Sequence, residues 1–170
     1  MDEENLDIYG NAPIPWSRAL TQLEAQAGEE GHGATHWLAT TGPDGKPHLA
    51  AVGALWVDDR FYFVSGPRTR KSQNLAANAS CAMSVSLEGI DVVLEGTAAK
   101  ITDPATLERI ANLYASRGWP ASSTGAAITA EFSAPSAGRG PWDLYAITPS
   151  AAVGVATSEP HGATRWRFGR

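Results

Sequence analysis

The sequence predicts a mainly β protein: an antiparallel barrel of six to eight strands, closed or split, with two or three short helices. Apolar runs of strand length follow one another at short intervals, and the turns between them draw on 17 Gly and 11 Pro. Only a few segments show helical spacing. The hairpins are local, and closing the sheet removes edge strands, so the pattern favours a barrel over a sandwich. With 170 residues, 43% hydrophobic and 18% charged, the chain can bury a core and is too apolar to be disordered.

Residues 1–15 are acidic and then punctuated by prolines, which reads as a flexible or draped arm. From Trp16 to Ala27, the positions Ala19, Leu20, Leu23 and Ala27 have helical spacing, Ser17 is a candidate cap, and Gly28 to Gly33 ends the helix. We take 1–30 as an acidic N-terminal arm with a short helix and 31–170 as the barrel domain, with no internal repeat and no second domain. His36–Thr41 reads as a strand, and Gly42-Pro43-Asp44-Gly45-Lys46-Pro47 as a hairpin turn with Asp-Gly at its tip. The next strand runs from His48 to about Val57, and Asp58-Asp59 turns it into the strand Phe61–Ser65. Gly66-Pro67 breaks the meander, and Thr69 to Ala77 reads as a short helix with Leu75 and Ala76 facing inward.

Strands follow at Ala82–Leu87 and Ile90–Ile101. Thr102 or Asp103 caps a helix with Pro104 in its first turn and a buried stripe of Leu107, Ile110, Ala111 and Tyr114. Residues 115–126 read as loop, Ala127–Phe132 as a short strand, and Ser133–Pro141 as a Gly/Pro/Ser linker of active-site-lid length. Trp142–Thr148, Ala151–Thr157 and Ala163–Phe168 complete the strands.

The formal charge of −5 is concentrated at the N-terminus, where Asp2, Glu3, Glu4, Asp7, Glu24, Glu29 and Glu30 face Arg18 alone. The remainder is close to neutral and offers no general attraction for a polyanion, so nucleic acid is not expected as a partner. Neither a basic-then-apolar leader nor a spanning apolar run is present, so a cytoplasmic location and no membrane partner are expected. Cys81 is the single cysteine, which excludes an intrachain disulfide and a cysteine-rich metal site; its apolar run reads as a strand with a buried, inert thiol. His32, His36, His48 and His161 match no zinc-protease or finger-like spacing, and no metal site is expected.

The most informative segment joins Phe61-Tyr62-Phe63-Val64-Ser65-Gly66 to Pro67-Arg68-Thr69-Arg70-Lys71-Ser72-Gln73-Asn74-Leu75. Arg68, Arg70 and Lys71 fall where a strand ends and a helix begins, and helix-terminal amides attract an anion to the same place. Arginine adds a planar fork, lysine a mobile charge, and Ser65 and Thr69 short hydroxyls. A phosphate pocket and a solvated basic turn both fit these residues. No dedicated proton donor stands out. His48, Tyr62 and Arg165 are candidates, each with an ordinary alternative as strand, core or surface ion-pair residue. Trp56, Trp119, Trp142 and Trp166 suit core or interface packing, and an indole also stacks well on a flat cofactor. In the last strand Arg165 and Arg167 share one face, and Trp166 and Phe168 the other.

Trp37-Leu38-Ala39-Thr40, the turn Asp44-Gly45-Lys46-Pro47-His48, the strand Val52-Gly53-Ala54-Leu55-Trp56 and Lys71-x-x-Asn74-Leu75 occur in an order and spacing that resemble the pyridoxamine 5'-phosphate oxidase-like superfamily. The closing Gly162-Ala163-Thr164-Arg165-Trp166-Arg167-Phe168 resembles the Arg-rich last strand of its actinobacterial flavin- and deazaflavin-dependent branch. The resemblance spans about residues 34–168. It implies an FMN-binding split barrel that works as a homodimer, with a cofactor at each subunit interface. It also implies Lys71 and Arg70 on the cofactor phosphate, Val52, Gly53 and Ala54 along the ring, and Ser65 and Gly66 nearby. Arg68, Asn74 and Arg165 complete the candidate cofactor set. True pyridoxamine-phosphate oxidases end in an Arg-Leu-x-Pro element that this chain lacks, so the resemblance does not reach vitamin B6 oxidation.

The resemblance implies hydride transfer at the cofactor ring, with protein groups positioning it and excluding water. Arg68, Arg70 and Lys71 with Arg165 and Arg167 offer a long basic track, which suits the phosphodiester and oligoglutamate tail of the deazaflavin coenzyme F420. The expected activity is therefore hydride transfer between reduced F420 and a small organic substrate. The alternatives are an FMN-dependent oxidoreductase and a non-catalytic flavin, deazaflavin or haem binding protein.

Overall fold

The computed structural model describes residues 1–28 and 35–169. Its strands are β1 (Asp2–Asn5), β2 (His36–Thr41), β3 (Pro47–Val52), β4 (Ala54–Val57), β5 (Arg60–Ser65), β6 (Ser80–Leu87), β7 (Ile90–Ile101), β8 (Ser122–Ser123), β9 (Ile128–Thr129), β10 (Asp143–Ala156) and β11 (Ala163–Arg167). Helices are α1 (Ser17–Gly28), α2 (Arg70–Ala77) and α3 (Pro104–Ser116), with a single 3-10 turn at Pro135–Ala137.

The antiparallel order β3-β2-β6-β7-β10-β5-β4 closes into a ring because β3 and β4 are one strand bent at Gly53. The expected strand from His48 to Val57 thus exists, and its bend lets one half pair with β2 and the other with β5. The two strands expected at 142–148 and 151–157 are likewise one strand, β10, with a register shift between Pro149 and Ala151. Proline has no N–H to give the ladder, and a bulge accommodates it. Before the bulge β10 pairs with β5, after it with β11, and along its other edge with β7.

Period-two alternation puts Leu38, Phe61, Phe63, Met83, Leu94, Tyr145 and Ile147 inside the barrel. Phe63 and Tyr145, cross-strand partners, stack with ring centroids 5.3 Å apart. Helix α3 covers the outside of the β4-β5-β10 wall, setting Leu107, Ile110, Ala111 and Tyr114 against Leu55, Tyr62, Leu144 and Ala146. The expected stripe and the Asp103 cap are both present, the latter accepting the Thr106 amide at 2.8 Å. The Tyr114 hydroxyl lies 2.9 Å from the Gly53 carbonyl and 3.2 Å from that of Tyr62, tying α3 to the bend.

Some expectations need correction. Ala76 is exposed; the inward face of α2 is Ser72, Asn74 and Leu75. The strand expected at 127–132 contracts to β9, and two residues of the expected 115–126 loop form β8. The N-terminal segment is no loose arm. Its residues Asp2–Asn5 form β1, paired residue by residue with Thr164–Arg167 on β11. Ile14 and Trp16 then enter the core, where Trp16 packs edge-on against Trp166 and Phe168, each at 5.1 Å, and Trp56 at 6.3 Å. The Trp166 indole donates to the Ile14 carbonyl at 3.1 Å. Gly154 makes room for that indole: a Cβ there would meet the Trp166 ring at 2.5 Å.

Helix α1 closes the same end of the barrel through Ala19 and Leu23. Arg18 donates to the carbonyls of Gly89 at 2.7 Å, Pro160 at 2.6 Å and Ser158 at 3.1 Å, and Gln22 exchanges two hydrogen bonds with the Glu88 backbone. One helix thereby clamps two hairpin turns. Among the described residues, no helix is long and apolar enough to cross a membrane.

Because Trp16 joins the N-terminal segment, α1 and β11, Trp16→Ala should cost about 3–5 kcal/mol in urea unfolding. A loss below about 1 kcal/mol would show that the segment drapes over the barrel without supporting it.

Candidate functional site

Strand β5 runs farther than its neighbour β4. Pairing with β4 ends at Phe63, opposite Ala54, while pairing with β10 continues to Ser65, opposite Asp143. On the other side of this step β3 is an open edge. Helix α2 fills the resulting slot. Leu75 reaches the core, and buried Asn74 donates to Thr40 Oγ1 at 3.0 Å, fixing the helix to β2.

Three hydroxyls build the corner between β5 and α2. Thr69 caps the helix, accepting the Ser72 amide at 3.4 Å, and donates to the Gly66 carbonyl at 2.9 Å. With that proton placed, Ser65 donates to Thr69 Oγ1 at 2.8 Å, and Ser72 donates to Ser65 Oγ at 2.7 Å. Each hydroxyl has one proton, and the chain Ser72–Ser65–Thr69–Gly66 uses all three. Ser65, Thr69 and Gly66 therefore shape the corner, and no hydroxyl proton is left over for an anion.

The charges stand on the outer side of this corner. Lys71 is half-buried in the first turn of α2, and burial pushes its ammonium below its ordinary pKa. No carboxylate pairs with it among the described residues. Arg68 and Arg70 are exposed. Arg70 faces the β2–β3 turn, where Asp44 is held below its ordinary pKa first by its hydrogen bonds to Lys46 and to a smaller degree by the Arg70 charge. A cluster with this much uncompensated positive charge at a helix start suits a phosphate.

The remaining candidates divide. Val52 is half-buried opposite His36, Ala54 points into the barrel, and Gly53 is bare: nothing lies within 4 Å of where its Cβ would be. His48 faces inward opposite Thr40, and its buried Nδ1 has no hydrogen-bond partner among the described residues. Tyr62, a candidate proton donor, is instead core beneath α3. Arg165 is not brought to the corner. It pairs with Glu4 at 3.2 Å, joined by Arg167 at 2.7 Å, and these hydrogen bonds hold the Glu4 carboxyl below its ordinary pKa. Arg165 sits opposite Val153, ten positions along β10 from Asp143 and Ser65, roughly 30 Å along an extended strand.

Cys81 is buried, and burial pushes its thiol up to about 11, as suits an inert core residue. Among the described residues no three His, Cys, Asp or Glu side chains converge on a metal position, and His32 lies outside the described residues. Sequence reasoning missed Arg139, exposed in the loop before β10. That loop touches the corner, since a Cβ on Gly66 would stand 3.0 Å from the Ala137 carbonyl. The signal available in the sequence was only an arginine between two glycines.

A family model described as pyridoxamine 5'-phosphate oxidase matches residues 29–138. Comparison with curated proteins finds no match. Similar solved structures include a protein named F420 Reductase, at 21% identity and TM-score 0.55, with 83% of this chain and 98% of that chain covered. A pyridoxamine 5'-phosphate oxidase-related, FMN binding protein from Nostoc punctiforme is similar at 15% identity and TM-score 0.59, with 95% and 93% covered. General Stress Protein 26 from Bacillus anthracis is similar at 14% identity and TM-score 0.55, with 89% and 99% covered. At these identities the likeness is one of fold, and the fold is the split barrel that the sequence predicts.

A half-buried ammonium without an ion-pair partner opposes folding until an anion arrives. Lys71→Met should therefore leave the Tm of the ligand-free protein unchanged or raise it. Inorganic phosphate should raise the Tm of the wild type and not that of the variant. A clear drop in Tm for the ligand-free variant would assign Lys71 to the scaffold instead.

Proposed function

The chain belongs to the pyridoxamine 5'-phosphate oxidase family, and from that premise we propose that it is an FMN-binding oxidoreductase that transfers a hydride between the flavin and a small organic substrate. The observation that carries this reading is Lys71, desolvated and without a carboxylate partner among the described residues, beside Arg70 at the start of a helix. The residues present fit the cofactor. Lys71 and Arg70 suit the phosphate, and the bare backbone at Gly53 leaves space for a flat ring. The unpartnered Nδ1 of His48 marks buried polarity on the inner face of β3, alongside the slot.

Bound FMN supplies the hydride-accepting ring, and the protein supplies its placement. Lys71 and Arg70 anchor the phosphate, the Ser72–Ser65–Thr69 chain keeps the corner rigid, and the Val52-Gly53-Ala54 bend presents backbone to the ring. The F420 reading relied on a long basic track. Within one chain Arg165 and Arg167 pair with Glu4 far along β10 from α2, so the cations that the same chain offers at α2 form a compact group, which suits a monoester phosphate. One structural relative is an FMN binding protein and another is named F420 Reductase, so both cofactors belong in the test.

A homodimer accompanies this reading. The outer face of the sheet formed by β3, β2, β6, β7 and β10 exposes Leu49, Trp37, Val93 and Val155. The pairings place Trp37, Ser84, Val93 and Val153 in one row across that face. An apolar sheet face of this kind suits a second copy of the chain.

FMN and F420 titrated separately into the protein should show the tighter binding for FMN. Lys71→Ala should weaken FMN by about tenfold to a hundredfold, the effect of losing a charged partner to phosphate. Arg70→Ala should weaken it too, with the double variant less than additive, and high salt should narrow the gaps. Sedimentation should give a dimer. An FMN Kd within twofold of wild type in Lys71→Ala would remove the phosphate assignment, and tighter F420 binding would reverse the choice of cofactor.

A further inference from the structure

Gly53 has two features that the barrel does not call for. Its φ lies outside the left-handed region, and among the described residues nothing stands within 4 Å of where a Cβ would be. Neither backbone strain nor packing against those residues demands a glycine there. Its N–H also lacks an acceptor among the described residues. The Gly42 amide donates to the Lys46 carbonyl at 2.9 Å, which sets the alternation of the β2–β3 ladder. His48, Ala50 and Val52 therefore turn their backbone groups to β2, whereas Leu49, Ala51 and then Gly53 turn theirs to the open edge. Pro47 obeys the same rule, since it faces away from β2 and its missing N–H costs no rung. The other half of the strand agrees. The two-residue turn Asp58-Asp59 makes Val57 and Arg60 a hydrogen-bonded pair, Leu55 and Tyr62 the next, and so directs Gly53 toward β5.

The carbonyl of the same residue is held from outside the barrel. The Tyr114 hydroxyl on α3 donates at 2.9 Å to Gly53 and lies 3.2 Å from the Tyr62 carbonyl, so one phenol links the bend to β5. Tyr114 is buried, and its ring meets Trp119 edge-on at 5.1 Å. Burial raises the pKa of its hydroxyl, which therefore remains a donor throughout the working pH range. In extended backbone the N–H and C=O of one residue point to the same edge. Glycine is the residue with the greatest freedom to rotate away from that arrangement. Fixing the Gly53 carbonyl thus also keeps its N–H aimed at the space between β3 and β5.

We propose that Tyr114 is a positioning residue for the flavin ring: its hydroxyl holds Gly53 so that the free N–H donates to the ring and the missing Cβ lets the ring lie against the backbone. The inference rests on the FMN reading and adds the residue that sets the ring, where Lys71 and Arg70 set the phosphate. Tyr114 touches no ligand itself and acts through the Gly53 carbonyl. A donor at the ring favours the electron-rich reduced flavin over the oxidised one, so a correctly placed Gly53 N–H raises the midpoint potential.

Riboflavin, which has the ring without the phosphate, FMN and inorganic phosphate are titrated separately into the wild type, Tyr114→Phe, Gly53→Ala and Lys71→Ala. Tyr114→Phe keeps the aromatic packing and should weaken riboflavin and FMN by about threefold to tenfold, the loss of one positioned hydrogen bond. Its affinity for inorganic phosphate should stay within about twofold of wild type. Lys71→Ala should do the converse, weakening phosphate and FMN and sparing riboflavin. Gly53→Ala tests the ring contact independently of α3: it should keep or raise the Tm, because its methyl enters open space, and weaken riboflavin at least about tenfold. In FMN-loaded Tyr114→Phe the midpoint potential should fall, since the reduced flavin loses more affinity than the oxidised one. A merely structural tyrosine would lower the Tm and leave the potential in place. The proposal is overturned if riboflavin affinity and the potential survive Tyr114→Phe, if Gly53→Ala binds riboflavin as wild type does, or if Tyr114→Phe weakens phosphate as much as riboflavin. A wild type that binds neither flavin would remove the FMN reading and this proposal with it, a result distinct from each of these.

Discussion

Strand β10 shares one edge between two partners, β5 up to Ile147 and β11 from Ala151, and the bulge between them shapes the surrounding structure. The first half closes the barrel wall with β5, and the second carries β11 and β1 away from it. Such a handover bends the strand and increases its local twist. It also separates two sets of basic residues. Those of β11 emerge near the far end of β10, whereas the α2 cluster sits where β10 begins.

On the near side, the geometry follows from strands of unequal length. Because β5 continues two residues past its pairing with β4, a slot remains that only an added element can fill. The polar side of α2 enters it, and every buried polar group there must find a partner. Asn74 takes Thr40, and the three hydroxyls take one another and the Gly66 carbonyl. Lys71 is the exception. Among the described residues no carboxylate pairs with it, so its charge is left open toward solvent.

Much of this was legible in the sequence where the governing interactions are local. Burial alternates along β7 from Ile90 to Ala98, and α3 follows from Asp103, Pro104 and a regular apolar stripe. The corner was legible for the same reason, since Arg68, Arg70, Lys71 and the Thr69 cap lie within a few residues. Non-local interactions were hidden. Asp2-Glu3-Glu4-Asn5 has no propensity for strand, and it forms β1 because β11 offers it an unpaired edge and two guanidinium groups. The ion pair of Arg165 was hidden for the complementary reason: its partner is 161 positions away. The bend at Gly53 and the contact of Ala137 with Gly66 likewise depend on segments distant in sequence.

The uneven charge of the chain then has a physical account. Glu4 accepts from both Arg165 and Arg167, and Asp2 lies 3.9 Å from Arg167, so the acidic terminus cancels the positive charge of the last strand. These pairs are largely exposed, and their contribution to stability is small. Their effect on the electrostatic field is larger. A cation cluster competes for an anion with every other cation within reach, and screening weakens but does not erase the more distant ones. With the β11 arginines paired to Glu4 at the far end of β10, Arg68, Arg70 and Lys71 at α2 stand without an ion pair among the described residues, in a molecule whose net charge is −5. An anion approaching α2 meets a half-buried lysine and two exposed arginines there.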